Sequence, residues 1–160
     1  MSITRASRIN HESSPRLAVA QLLNRFPQIP KSARVLIAGL AFKGTPETDD
    51  IRGSLAFPLM EELSKNLPEM ELWTYDPLVE ASKLPTELSK NHLLDLGAIG
   101  GEIDLLIIQH NGKRLLEALL AHPDYFKNSF VLDFWGDFRS ELRPHTPRQR
   151  VYVFGGEKND

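Results

Sequence analysis

Apolar residues along this chain fall into short unbroken runs alternating with longer segments of helical periodicity. Val35-Leu36-Ile37-Ala38, Leu72-Trp73-Thr74-Tyr75, Asp104-Leu105-Leu106-Ile107-Ile108, Phe130-Val131-Leu132-Asp133 and Val151-Tyr152-Val153-Phe154 have the length and composition of strands. Between them, Leu55, Leu59, Leu63 and Leu67 recur every fourth residue and predict a helix over 55–67 with one apolar face. Ser54 is its expected N-cap, with Pro58 at the end of its first turn. A further helix is predicted over 114–121. Near the start, Ala18, Leu22 and Phe26, flanked by Val19 and Leu23, form a stripe on a helix over 3–26. Pro15 either kinks that helix or, with Ser14 as cap, begins a second one. The 78–101 stretch carries little periodicity; 79–83 and 85–92 read as helical turns, and Gly97, Gly100 and Gly101 mark loops. Five strands with intervening helices predict an α/β, Rossmann-like, doubly wound and mainly parallel sheet of about five strands, preceded by an N-terminal helix.

The first strand runs into a long polar loop, Gly39 to Ser54, before the 55–67 helix. In an open parallel sheet such a loop lies where these folds bind ligands. Gly39-x4-Gly44 has the spacing of a phosphate loop, but Thr45 stands where its lysine should follow, and no G-x-G-x-x-G is present. What remains is a lysine at the loop's start, Lys43, an arginine near its end, Arg52, and a helix N-terminus. That set suits an anionic ligand. Alternatively, Arg52 pairs with Asp49 or Asp50 and staples the loop. Asp76, just past the second strand, either holds a ribose or forms a turn with Pro77. His110-Asn111 either borders the ligand crevice or makes a solvated turn, and Trp135 either stacks on a base or serves packing.

Composition narrows the chemistry. With 41% hydrophobic and 25% charged residues, the 160-residue chain has the make-up of an ordinary globular protein. A net charge of −2 from 19 basic and 21 acidic side chains gives no electrostatic footprint for nucleic acid or an anionic membrane. No apolar run approaches the ~20 residues of a membrane-spanning helix, and the opening residues lack a signal peptide's apolar core, so the expected location is the cytoplasm. Absence of cysteine excludes disulfides and thiolate catalysis within these residues. The five histidines show no H-x-x-x-H or H-E-x-x-H pair, so no metal site is expected. There is no G-x-S-x-G elbow.

Gly39-Leu40-Ala41-Phe42-Lys43, then Thr48-Asp49-Asp50-Ile51-Arg52-Gly53-Ser54, then Tyr75-Asp76-Pro77, resemble the C-terminal, UDP-binding domain of the UDP-glucose/GDP-mannose dehydrogenase family. Ile9-Asn10 and Pro15-Arg16 are similar to the end of that family's long central helix. The resemblance implies that residues 1–30 are the end of that helix and a linker, and that 31–160 are a nucleotide-sugar-binding α/β domain without the NAD domain. The chain would then be a split subunit, a remnant or an excised domain. It implies a UDP-sugar ligand, with Phe42 and Lys43 lining the pocket and Arg52 holding the loop or touching the ligand. No catalytic residue and no cofactor are expected in the chain itself; NAD is implied for the intact enzyme, whose nucleophilic cysteine lies in another domain. The sequence departs from the family where Phe134 and Trp135 replace its arginine region, in a slightly longer loop before Thr48, and at Leu55 in place of proline. The implied assembly is a homodimer through 3–26 or pairing with a dehydrogenase domain; the monomeric alternative has that helix folded back on its own domain. A module that pairs with a full-length dehydrogenase without binding sugar is the rival reading.

Overall fold

In a computed structural model, which describes residues 3–154 and, within the first helix, side chains from residue 13 onward, the apolar runs become a single parallel sheet. Its strands are β1 (Arg34–Ala38), β2 (Glu71–Tyr75), β3 (His92–Leu93), β4 (Leu105–Ile108), β5 (Phe130–Asp133) and β6 (Val151–Val153). They lie in the order β3-β2-β1-β4-β5-β6, and every pairing is parallel. The helices are α1 (Ile3–Arg25), α2 (Ala56–Asn66), α3 (Thr86–Ser89), α4 (Lys113–Leu120) and α5 (Arg139–Leu142).

Strand alternation supplies two cores. Val35 and Ile37 of β1, Leu105 and Ile107 of β4 and Leu132 of β5 face one side, where they pack with Leu59 and Leu63 of α2 and Ala18, Val19 and Leu22 of α1. Leu36, Ala38, Leu106, Ile108 and Val131 face the other, against Leu115 and Leu119 of α4 and the turn Leu96–Ile99. With both faces covered, the central strands need continuous apolar runs, which is what made them legible.

The sheet has six strands rather than about five. β3 lies in the stretch read as helical turns, and only two residues pair with Thr74 and Tyr75. Its first residue, His92, is buried: Nδ1 accepts from the Thr74 hydroxyl at 2.9 Å, and Nε2 donates to the Val79 carbonyl at 2.8 Å. A polar residue satisfied this way leaves no strand pattern in the sequence. α1 is one continuous helix with Pro15 inside it. α2 begins at Ala56, after Leu55 at helical dihedrals, and Ser54 Oγ accepts the Ala56 N–H at 3.2 Å.

The apolar stripe of α1 is not left in water. Ala18, Val19 and Leu22 are fully buried and Phe26 nearly so, with Phe26 packing on Phe130 at 4.8 Å between ring centroids. The described part of the helix therefore folds back on its own domain, and its stripe is core rather than an association surface. The side chains of Ile3, Ala6 and Ile9, expected to extend the stripe, lie outside the described ones. No described helix is long and apolar enough to cross a membrane.

Candidate functional site

Between β1 and β4 the chain leaves the sheet in opposite lateral directions, because β1 connects to β2 on one side and β4 to β5 on the other. A crevice forms at such a reversal, beyond the carboxyl ends of the strands. Here it is bounded by the Gly39–Ser54 loop, by Asp76 after β2 and by Gln109–Gly112 after β4.

Asp76 organises this end of the sheet. It is 5% exposed, and its carboxylate accepts five N–H donors. Oδ2 takes the Leu40 and Ala41 amides at 2.7 and 3.0 Å and His110 Nε2 at 2.9 Å, while Oδ1 takes Leu78 and Val79 at 2.9 and 3.2 Å. Burial pushes the carboxyl up, but the bonds from His110, Ala41, Leu78 and Leu40 outweigh it and hold the pKa at about 2. The bonds from Leu78 and Val79 are the local turn anticipated from Asp76-Pro77; those from Leu40, Ala41 and His110 tie the segments after β1 and β4 to the end of β2. No lone pair is left for a ribose.

His110 is correspondingly not in a solvated turn. It is 4% exposed, and its Nδ1 accepts the Gly112 amide at 3.1 Å while Nε2 faces Asp76. These partners assign the neutral ring with its proton on Nε2. With both nitrogens engaged, the Asp76–His110 pair positions loops and has no free acid or base function. Gly39, at φ +95°, passes so close to this ring that a Cβ would stand 2.8 Å from His110 Cδ2. Gly44 lies against Gly112 more tightly still: a Cβ there would be 2.1 Å from the Gly112 nitrogen.

The loop's acidic residues are also committed. Phe42 N–H bonds the Asp50 carbonyl at 2.9 Å and closes the loop. Asp50 receives Arg52 through Nε and Nη2 at 3.0 and 2.7 Å, and this bonding lowers its pKa to about 2. Lys83 pairs with Asp49 and holds that carboxyl below its usual range. Glu47 accepts the Arg114 amide at 2.9 Å and approaches its guanidinium at 3.3 Å, so a carboxylate of the chain's own occupies the start of α4. Thr45 and Asp137 meet on Asn111, which accepts from the Thr45 hydroxyl at 3.3 Å and donates to Asp137 at 2.6 Å.

Lys43 differs from these cations. No carboxylate pairs with it among the described residues, and its Nζ sits 5.1 Å from the centroid of the half-exposed Phe42 ring. With Gly44, Glu47, Thr48, Asp76 and His110 among others it lines a narrow seam that leaves no room for a water molecule. Arg52 is 89% exposed and faces an open groove of about 550 Å³ with Asp49, Asp50 and Lys83. The structure thus brings Phe42 and Lys43 together and places Arg52 in a separate hollow that shares Thr48 with the first. The missed elements are the Asp76–His110–Gly112 hub and the Glu47 cap; the only sequence signal for them was two polar residues at strand ends. No group of three metal-ligating side chains occurs among the described residues.

Comparison with known proteins bears on this end of the sheet directly. The family model described as "UDP-glucose/GDP-mannose dehydrogenase family, UDP binding domain" matches residues 36–138, which include the loop, Asp76, His110 and the turn after β5. Similar solved structures include the UDP-N-acetyl-mannosamine dehydrogenase of Staphylococcus aureus, with a TM-score of 0.55 and 22% identity over 90% of this chain and 31% of that one. Another is a ternary complex of the GDP-mannose dehydrogenase of Pseudomonas aeruginosa, with a TM-score of 0.54 and 22% identity over 86% of this chain and 32% of that one. At such identity the likeness is one of fold, and the chain spans about a third of each of these proteins. Comparison with curated proteins gave no match.

Proposed function

The chain belongs to the UDP-glucose/GDP-mannose dehydrogenase family, through its UDP binding domain, and from that premise we propose that it holds the nucleotide part of a UDP-sugar at the carboxyl ends of β1 and β4. The observation that carries this reading is Lys43. It is the one cation of the Gly39–Ser54 loop left without a carboxylate among the described residues, and it stands on the rim of a narrow seam closed beneath it by the Asp76–His110 pair, at the carboxyl ends of the strands. An unneutralised ammonium held by rigid backbone suits a diphosphate. The Phe42 ring, beside the Lys43 ammonium, sets a partly exposed apolar face next to that charge. Arg52, already engaged by Asp50, acts by holding the loop closed.

The residues present do not fit NAD. The glycine fingerprint is absent, and the acid after β2 that would hold a ribose is fully engaged by five N–H donors. On this reading the dinucleotide and the chemical step belong to a dehydrogenase body with which this domain works, and the 160 residues alone do not oxidise a nucleotide sugar. Sustained NADH formation from UDP-glucose by the purified chain would overturn that part.

Isothermal titration with UDP tests the binding. Affinity is expected in the tens of micromolar or weaker, roughly 6 kcal/mol. Lys43→Ala should weaken it by about 1–3 kcal/mol. No heat with UDP at millimolar concentration would refute the reading, and unchanged affinity in the variant would remove Lys43 from the site.

A further inference from the structure

At the end of β5 the Asp133 carboxylate, 1% exposed, accepts the backbone N–H groups of Trp135, Gly136 and Phe138 at 3.3, 2.8 and 3.1 Å. Gly136, at φ +80°, packs so close to β6 that a Cβ would lie 2.9 Å from Val153 Cγ1. The turn carrying Trp135 is therefore fixed. So is the ring itself: its indole N–H donates to the Gln109 carbonyl, and its edge meets Phe134 at 6.3 Å and 66°. Phe134 in turn stacks on Phe154 at 5.0 Å. Despite these anchors the indole is 51% exposed. Gln109 also reaches the other wall of the crevice. With its amide oriented to satisfy its neighbours, its side-chain nitrogen donates to the Ala41 carbonyl at 2.9 Å and the Gly39 carbonyl at 3.2 Å. Trp135 and Lys43 thus flank the end of β4 from its two neighbouring strands, β5 and β1. Two inter-strand spacings separate those strands by roughly 10 Å, a separation of the order that divides a nucleobase from its diphosphate.

We propose that Trp135 is the stacking platform for the nucleobase of the ligand whose diphosphate meets Lys43. This rests on the function proposed above and adds the residue that takes the base. A flat aromatic face already held in one orientation loses little freedom on binding, and every base offers a π face to stack on. The platform accordingly favours an aromatic base over none and does not by itself select uracil.

Trp73→Phe leaves Trp135 as the one tryptophan, since the chain has two. In that protein, uridine and UDP should quench the emission, and ribose 5-phosphate and pyrophosphate should not. Trp135→Leu should weaken UDP binding about tenfold, equal to about 1.4 kcal/mol, leave pyrophosphate binding unchanged, and be largely rescued by Trp135→Phe. UDP binding to Trp135→Leu at wild-type affinity overturns the platform and leaves the Lys43 site standing. Trp135 emission unaltered at saturating UDP does the same without any change to the ring. Failure of the wild-type protein to bind UDP overturns both.

Discussion

Replacing Asp76 by Asn changes one atom of the side chain and should disrupt the whole crevice. Both carboxylate oxygens are surrounded by donors only: three on Oδ2 and two on Oδ1. Either orientation of the amide turns its NH2 toward N–H groups, so at least two buried donors lose their acceptor. Each orphaned donor costs about 1–3 kcal/mol, and after partial relaxation the expected loss is about 2–4 kcal/mol. Urea denaturation monitored by circular dichroism should give that value, with Tm falling by roughly 10 °C. The loss should also depend on pH. A carboxyl with a folded pKa of about 2 against 3.8 unfolded contributes about 2 kcal/mol. That contribution is fully present above about pH 4 and disappears as pH falls toward 2, so wild type and variant should converge in acid. A cost below 1 kcal/mol, or one that stays constant from pH 7 to pH 3, would refute the account of Asp76 as a charge satisfied by five donors.

Three further outcomes follow from the same geometry. Gly44→Ala forces a Cβ to 2.1 Å from the Gly112 nitrogen, where only backbone can yield; it should cost on the order of 3 kcal/mol in urea denaturation, and a loss under 1 kcal/mol would show that the two loops separate easily. Leu22→Ala should cost about 2–5 kcal/mol, and Leu22→Glu should unfold the domain, because Leu22 is fully buried in its own core; a folded, monomeric Leu22→Glu protein by circular dichroism and sedimentation would restore the idea of an inter-chain stripe. Arg52→Ala should leave UDP affinity within about a factor of two by calorimetry, since its exposed guanidinium is taken by Asp50; a tenfold loss would move Arg52 onto the ligand.

The sequence by itself determined the elements whose signal is local. The Val35–Ala38 and Leu105–Ile108 runs are buried on both faces, and the four-residue spacing of Leu55 to Leu67 holds one helical face to the sheet, so composition and period sufficed. It also located the Gly39–Ser54 loop, Phe42 and Lys43 at a strand end, and left Arg52 with two uses. The tertiary structure decided what depends on distant partners. Asp76 and His110 are 34 residues apart, Glu47 and Arg114 are 67 apart, and Trp135 finds Gln109 across 26. Neither the burial of His110 nor the rigidity of Trp135 is a property of the residues beside them. β3 escaped notice because its buried histidine is satisfied by Thr74 and Val79, residues that precede it by 18 and 13 positions. The stripe on α1 showed that a face must be covered, but only packing against α2 and the sheet showed that this chain covers it itself. Periodicity records that a side chain leaves water; which partner receives it is settled when the chain closes on itself.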